Sequence, residues 1–112
     1  MHDIHMRLRL TFFNDYDPDS LGFGKGAVNL LELIESTGSI RKACAQMGMA
    51  YSKSWKILTT TEQEFGIKLL ERNGRFGSHL TEEAKQLISN YKQVLDAAQK
   101  AANEKFEELY KD

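Results

Sequence analysis

Ile4, Met6, Leu8, Leu10 and Phe12 alternate with His5, Arg7, Arg9 and Thr11, a strict period of two that predicts a half-buried N-terminal strand. The alternation stops at "NDYDPDS", where the chain's one proline sits among Asn, Asp and Ser. Those residue types favour turns, so this stretch is expected to be a loop, released by "GFGKG" into the next element. From about Lys25 the apolar spacing changes. Ala27, Leu30, Leu31 and Ile34 recur at three and four, predicting a helix that stops near Gly38. Ser39 is a suitable cap for a second, short helix with Ile40, Ala43, Cys44 and Met47 on one side and Gly48 at its end. Its small Ala43 and Cys44 let another helix approach closely. A third helix is predicted from about Tyr51 to Phe65, with Ser54, Leu58, Thr61 and Phe65 along one side and Gly66 closing it.

Two helices joined by "GMA" make a helix-turn-helix signature. After them, "KLLERNGRFGSHLT" places Asn73, Gly74, Gly77 and Ser78 between two short runs, which suits a two-stranded hairpin, or wing. Thr81 can cap a last helix whose first turn carries Glu82 and Glu83, favourable charges at a positive dipole end. Nothing breaks that helix before the end of the sequence. Ala84, Leu87, Tyr91, Val94, Ala98 and Ala101 form a heptad-like seam along it, and exposed seams of this kind mark interfaces. The expected fold is mainly α with a small β-sheet. It is a winged helix-turn-helix with an N-terminal strand, a two-stranded wing and a long C-terminal helix. One domain is expected over residues 1–112, with the helix-turn-helix at about 39–65, the wing at about 68–81 and the last helix at about 82–111.

Charge changes the picture more than composition does. The net charge of the 112 residues is -1, which by itself argues against an acidic partner. Its distribution argues the other way. Residues 1–38 sum to -3, residues 39–80 to +4 and residues 81–112 to -2, so positive charge is concentrated over the helix-turn-helix and wing. The single cysteine, Cys44, has no partner for an internal disulfide and no Cys or His at zinc-like spacing, and it reads as a core residue. His2 and His5 read as strand-start residues rather than metal ligands. No apolar run approaches a membrane span and the N-terminus has no secretory apolar segment, so a cytoplasmic protein without a membrane partner is expected. The carboxylates lack a paired His or Ser arrangement, so neither an enzyme nor a cofactor is implied.

A helix that follows a tight turn can enter the DNA major groove with its first residues at the base edges. Hydrogen-bonding side chains are needed there, and Tyr51, Ser52, Lys53 and Lys56 supply them. Arg41 and Lys42 on the preceding helix can touch backbone, and Arg72, Arg75 and His79 on the wing can reach flanking phosphates or the minor groove. Trp55 reads either as a core anchor or as a base or sugar contact. The partner these residues imply is double-stranded DNA. The slightly acidic total also fits a different class, a winged helix that serves as a protein-interaction adaptor.

The stretches "GFGKGAVNLLELIESTGSIRKACAQMGMAYSKSWKIL" and "FGIKLLERNGRFGSHLTEEAKQLI" together resemble the N-terminal winged-helix domain of molybdate-responsive, ModE-type transcriptional regulators. They bear a looser likeness to LysR-type DNA-binding domains. The most specific pieces are "TGSI", Tyr51 to Trp55, Leu70 to Arg72 at the wing entry, and Leu80 with Thr81 at its exit. The resemblance implies DNA binding as a homodimer, with the second helix of the motif as recognition helix and the flanking helices as the dimer contact. It places Tyr51, Ser52, Lys53 and Trp55 in the recognition motif, and Arg72 and Arg75 on the wing. Leu87, Tyr91, Val94 and Ala98 are the expected dimer-interface residues. Ala50 stands where the family has a capping Ser or Thr, and the family wing is longer and richer in glycine. Regulators of this type follow the winged helix with oxyanion-binding domains. The sequence, ending at Asp112, is expected to act without one.

Overall fold

A computed structural model describes residues 3–14, 22–72 and 77–110. The helical spacings become α1 (Lys25–Thr37), α2 (Ile40–Met47), α3 (Tyr51–Phe65) and α4 (Glu82–Tyr110), with β1 (Leu70–Arg72) and β2 (Ser78–Leu80) between α3 and α4. Local chemistry sets these limits. Ser39 accepts the backbone N–H of Lys42 at the start of α2, supplying one of the bonds that a helix start lacks. Thr81 does the same for α4, accepting from Ala84 N–H at 3.0 Å while its own hydroxyl donates to the Lys68 carbonyl. One threonine therefore ties the end of the wing to its beginning. No side chain caps α3, which nevertheless begins at Tyr51 after Ala50.

β1 and β2 pair antiparallel in the register Leu70 to Leu80, Glu71 to His79 and Arg72 to Ser78. Leu70 and Leu80 point into the core, so this end of the wing is held by packing as well as by backbone bonds. The wing also docks on the turn between α1 and α2, where Ser78 N–H donates to the Gly38 carbonyl at 2.9 Å. Gly77 has a φ of +83°, and a Cβ there would collide with the Gly38 carbonyl oxygen. Glu35 of α1 braces the same place, accepting from Leu80 N–H at 3.1 Å. The expected turn residues Asn73 and Gly74, the loop at positions 15–20 and the last residues, 111 and 112, lie outside the described residues.

The core joins Phe23, Leu30, Leu31 and Ile34 to Ile40, Ala43, Cys44, Leu58 and Leu69 and to Ala84, Leu87, Ile88 and Tyr91 of α4. Phe23 is wholly buried, with edge-on rings from Phe65 at 6.1 Å and Tyr91 at 5.7 Å. The buried Ser54 and Thr61 of α3 satisfy their hydroxyls on the Tyr51 and Ile57 carbonyls, so they can face the core without stranding a donor.

The N-terminal strand is a correction. Met6, Leu8, Leu10 and Phe12 are half-buried while Arg7, Arg9 and Thr11 are exposed, so the period-two alternation is present. Among the described residues no ladder accompanies it. A single bridge, Phe12 to Phe23, is its backbone pairing, and Ile4 is 47% exposed. Alternation reports which side chains face the core and says nothing of a neighbouring strand, and none of the described residues supplies one. The segment is anchored instead by its bridge, by the Tyr91 hydroxyl donating to the Leu10 carbonyl at 2.8 Å, and by Asn14 donating to Glu64 of α3.

α4 outruns the globule. Its buried residues end at Tyr91, and Leu95 is the last to pack on the core. The remaining turns project, giving extents of 57 × 31 × 25 Å. No described helix is long and apolar enough to cross a membrane.

Candidate nucleic-acid interface

α3 turns its Ser54, Leu58 and Thr61 side inward. At 100° per residue this leaves Ser52 and Lys56 in the middle of the outward face, Tyr51 and Trp55 on one flank, and Lys53 with Ile57 on the other. Ser52, Lys53 and Lys56 are all exposed. The first N–H groups of α3 have no side-chain acceptor, so the positive end of the helix is open beside these residues.

The aromatic flank is organised by cations. The Arg41 guanidinium of α2 lies over the Tyr51 ring, 4.3 Å from its centroid, and the Arg72 guanidinium of β1 lies over the Trp55 ring at 4.9 Å. Tyr51 and Trp55 meet edge-on at 6.2 Å. Four residues from three elements thus form one continuous stack, with each guanidinium held against a ring face that attracts it. Trp55 is half-buried and packs partly against the core, so it anchors α3 while part of it stays accessible beneath Arg72.

The other expected residues divide. Lys42 is exposed near the start of α2. His79 faces α1, its Nδ1 3.1 Å from Glu35 Oε1, because its register opposite Glu71 turns it toward the brace that holds the wing. Arg75 lies outside the described residues. On the expected dimer seam, Leu87 and Tyr91 are only 8% and 3% exposed. They are buried within the chain's own core, where α4 crosses Phe12 and Phe23. Val94 is exposed and Ala98 half-buried, and Leu109 and Tyr110 are exposed further along.

Two features were invisible to sequence reasoning. Glu35 holds both the His79 side chain and the Leu80 backbone across more than forty residues, a role no local spacing signals. The second is a groove of about 690 Å³ beside the Lys53 flank of α3, whose lining also includes Arg7, Arg9 and Lys25. The strand pattern that assigned Arg7 and Arg9 to an outward face was a signal for these two, without the neighbours needed to interpret it. Among the described residues no group of His, Cys, Asp and Glu could hold a metal ion.

Comparison with known proteins places this geometry. The crystal structure of CbnR, described as a LysR family transcriptional regulator, superposes with a TM-score of 0.56 at 16% identity over 71% of this chain and 27% of that one. OxyR of Corynebacterium glutamicum, a C206S mutant bound to H2O2, gives 0.52 at 21% identity over 69% of this chain and 24% of its own. The DNA complex of the CbnR DNA-binding domain gives 0.55 at 18% identity over 70% of this chain and 88% of that domain. The chain thus spans about a quarter of the length of the two longer proteins, and at these identities the likeness is one of fold. No curated protein sequence gives a significant match. The family model described as bacterial regulatory helix-turn-helix protein, lysR family, matches residues 27–85, more than half of the chain, running from within the first turn of α1 into the first turn of α4. The chain belongs to the lysR family of bacterial regulatory helix-turn-helix proteins.

Proposed function

We propose that the protein is a transcriptional regulator that binds double-stranded DNA in a sequence-specific manner as a homodimer, with α3 as its recognition helix. The observation that carries this reading is the start of α3: an open helix N-terminus with exposed Ser52, Lys53 and Lys56, flanked by the Arg41–Tyr51 and Arg72–Trp55 stacks. Ser52 and Lys53 can reach base edges in the major groove. Lys56 and the two arginines suit phosphates, as does Lys42; Arg75 joins this set by its place in the sequence alone, and His79, held against Glu35, is left out of it. The family and the fold shared with the CbnR DNA complex support the reading. The ModE-type likeness belongs with it, through the "TGSI" and Tyr51 to Trp55 motifs.

The dimer rests on α4. Its apolar stripe continues past the core through Val94, Ala98, Ala102 and Leu109, and a second copy of the same helix would cover it. With Leu87 and Tyr91 committed to the core, the dimer contact falls on the distal part of the helix.

The test separates charge from sequence. Lys56→Ala and Arg72→Ala should weaken binding to all duplexes alike and flatten the salt dependence by roughly 0.9 log unit per lost phosphate contact. Ser52→Ala and Lys53→Ala should relax preference at particular base pairs, by about 1–3 kcal/mol each. Folded variants that all bind specific and random DNA like the wild type would reject the assignment of α3. A wild-type chain with no salt-dependent duplex binding would favour the protein-interaction adaptor.

A further inference from the structure

Resting on that reading, we infer that the N-terminal segment carries a second phosphate-binding flank, in which Arg7, Arg9 and Lys25 contact the DNA backbone across α3 from the wing. The groove that these three share with Lys53 is walled by the N-terminal segment, the first turn of α1, the start of α3 with Met49 before it, and Tyr91 and Leu95 of α4, so the cations rim a floor that is largely apolar. All four cations are exposed, and no carboxylate lines the groove among the described residues. None of the four forms an ion pair with a described residue. A cluster of four positive charges on a chain of net charge -1 costs self-repulsion, which an anionic partner relieves.

The position selects DNA as that partner. Lys53 and Ile57 line this groove, while Trp55 and Arg72 line the cleft on the opposite flank of α3. The outward face of α3 therefore has cations on both sides, Arg41 and Arg72 on one and Arg7, Arg9 and Lys25 on the other. A helix lying in a major groove has a phosphate backbone along each side of it, and this arrangement supplies cations to both. The segment is fixed in place by the Phe12 to Phe23 bridge, by the Tyr91 hydroxyl on the Leu10 carbonyl and by Asn14 on Glu64. These anchors hold the backbone at Leu10, Phe12 and Asn14, just beyond the two arginines. Arg7, Arg9 and Lys25 all precede residue 27, so this flank lies outside the part matched by the family model.

The double variant Arg7→Ala/Arg9→Ala tests the inference, measured by DNA binding over a salt series on a duplex selected by the wild type, with a backbone footprint of the same complex. Two lost contacts at about 0.9 each predict a slope lower by about 1.8 log units per decade of salt. The footprint should shrink on the side away from the wing, with the order of preferred sequences unchanged. Arg7→Lys/Arg9→Lys should keep most of the slope. Both arginines are exposed, so circular dichroism of either variant should match the wild type. Unchanged slope and footprint in the alanine pair, while Arg72→Ala lowers the slope, would overturn this flank and leave recognition by α3 standing. Failure of the wild type itself to bind any duplex would overturn both. A melting-temperature rise with inorganic phosphate that the alanine pair loses, with its DNA binding unaltered, would make the occupant a small anion and also overturn the inference.

Discussion

Tyr91 shows how one side chain can serve both the core and the N-terminal segment laid over it. Its ring is packed edge-on by Phe12 and Phe23, and its hydroxyl holds the Leu10 carbonyl at 2.8 Å. Burial pushes its pKa above the usual tyrosine value of 10.0. Because the folded pKa lies above the unfolded one, the neutral form is favoured on folding. That contribution is complete below about pH 10 and is lost as pH rises through the folded value. Chemical denaturation over an alkaline series should show this fall, and Tyr91→Phe should flatten it. The variant should also lose about 0.5–1.5 kcal/mol at neutral pH for the missing hydrogen bond. Gly77 gives a second test at this scale. With φ at +83° and the Gly38 carbonyl oxygen where a Cβ would stand, Gly77→Ala should lower stability by more than about 1 kcal/mol in the same assay, by lifting the wing from the α1–α2 turn.

The elements differ in how plainly the sequence announced them. The three helices of the central region were legible because the apolar spacing and the terminal residues Ser39, Gly48 and Gly66 agree on their limits. The wing was legible through its turn residues. The N-terminal alternation misleads, since Met6 to Phe12 alternate in burial while, among the described residues, the Phe12 to Phe23 bridge alone pairs them. Two of the four expected seam residues, Leu87 and Tyr91, are buried within the chain, because periodicity marks an apolar face but cannot say whether the chain itself covers it. Leu87 and Tyr91 are covered by this chain, so replacing them with charge should unfold the protein. Val94→Glu with Leu109→Glu should instead give a folded monomer by sedimentation, whereas an unaltered dimer would remove α4 as the contact. The uncapped start of α3 is testable too. Ala50→Ser should raise stability by about 0.5–2 kcal/mol, read from denaturant midpoints, and no change would mean that those N–H groups are already satisfied.

For the whole molecule, the weak net charge concealed the basis of the candidate interface. Acidic residues collect in the N-terminal third and on α4, while the middle third carries +4. Folding then adds Arg7, Arg9 and Lys25 to that middle region, which no count along the chain could foresee. If this face reads DNA sequence through the start of α3, the protein will choose among duplexes. Selection of bound fragments from a random duplex pool at a stated salt concentration tests it most directly. A dimer reading DNA with two α3 helices should enrich an inverted repeat whose half-sites lie about one helical turn apart, or a multiple of it. A pool that emerges without any preferred sequence, from a protein shown to be folded and dimeric, would contradict it.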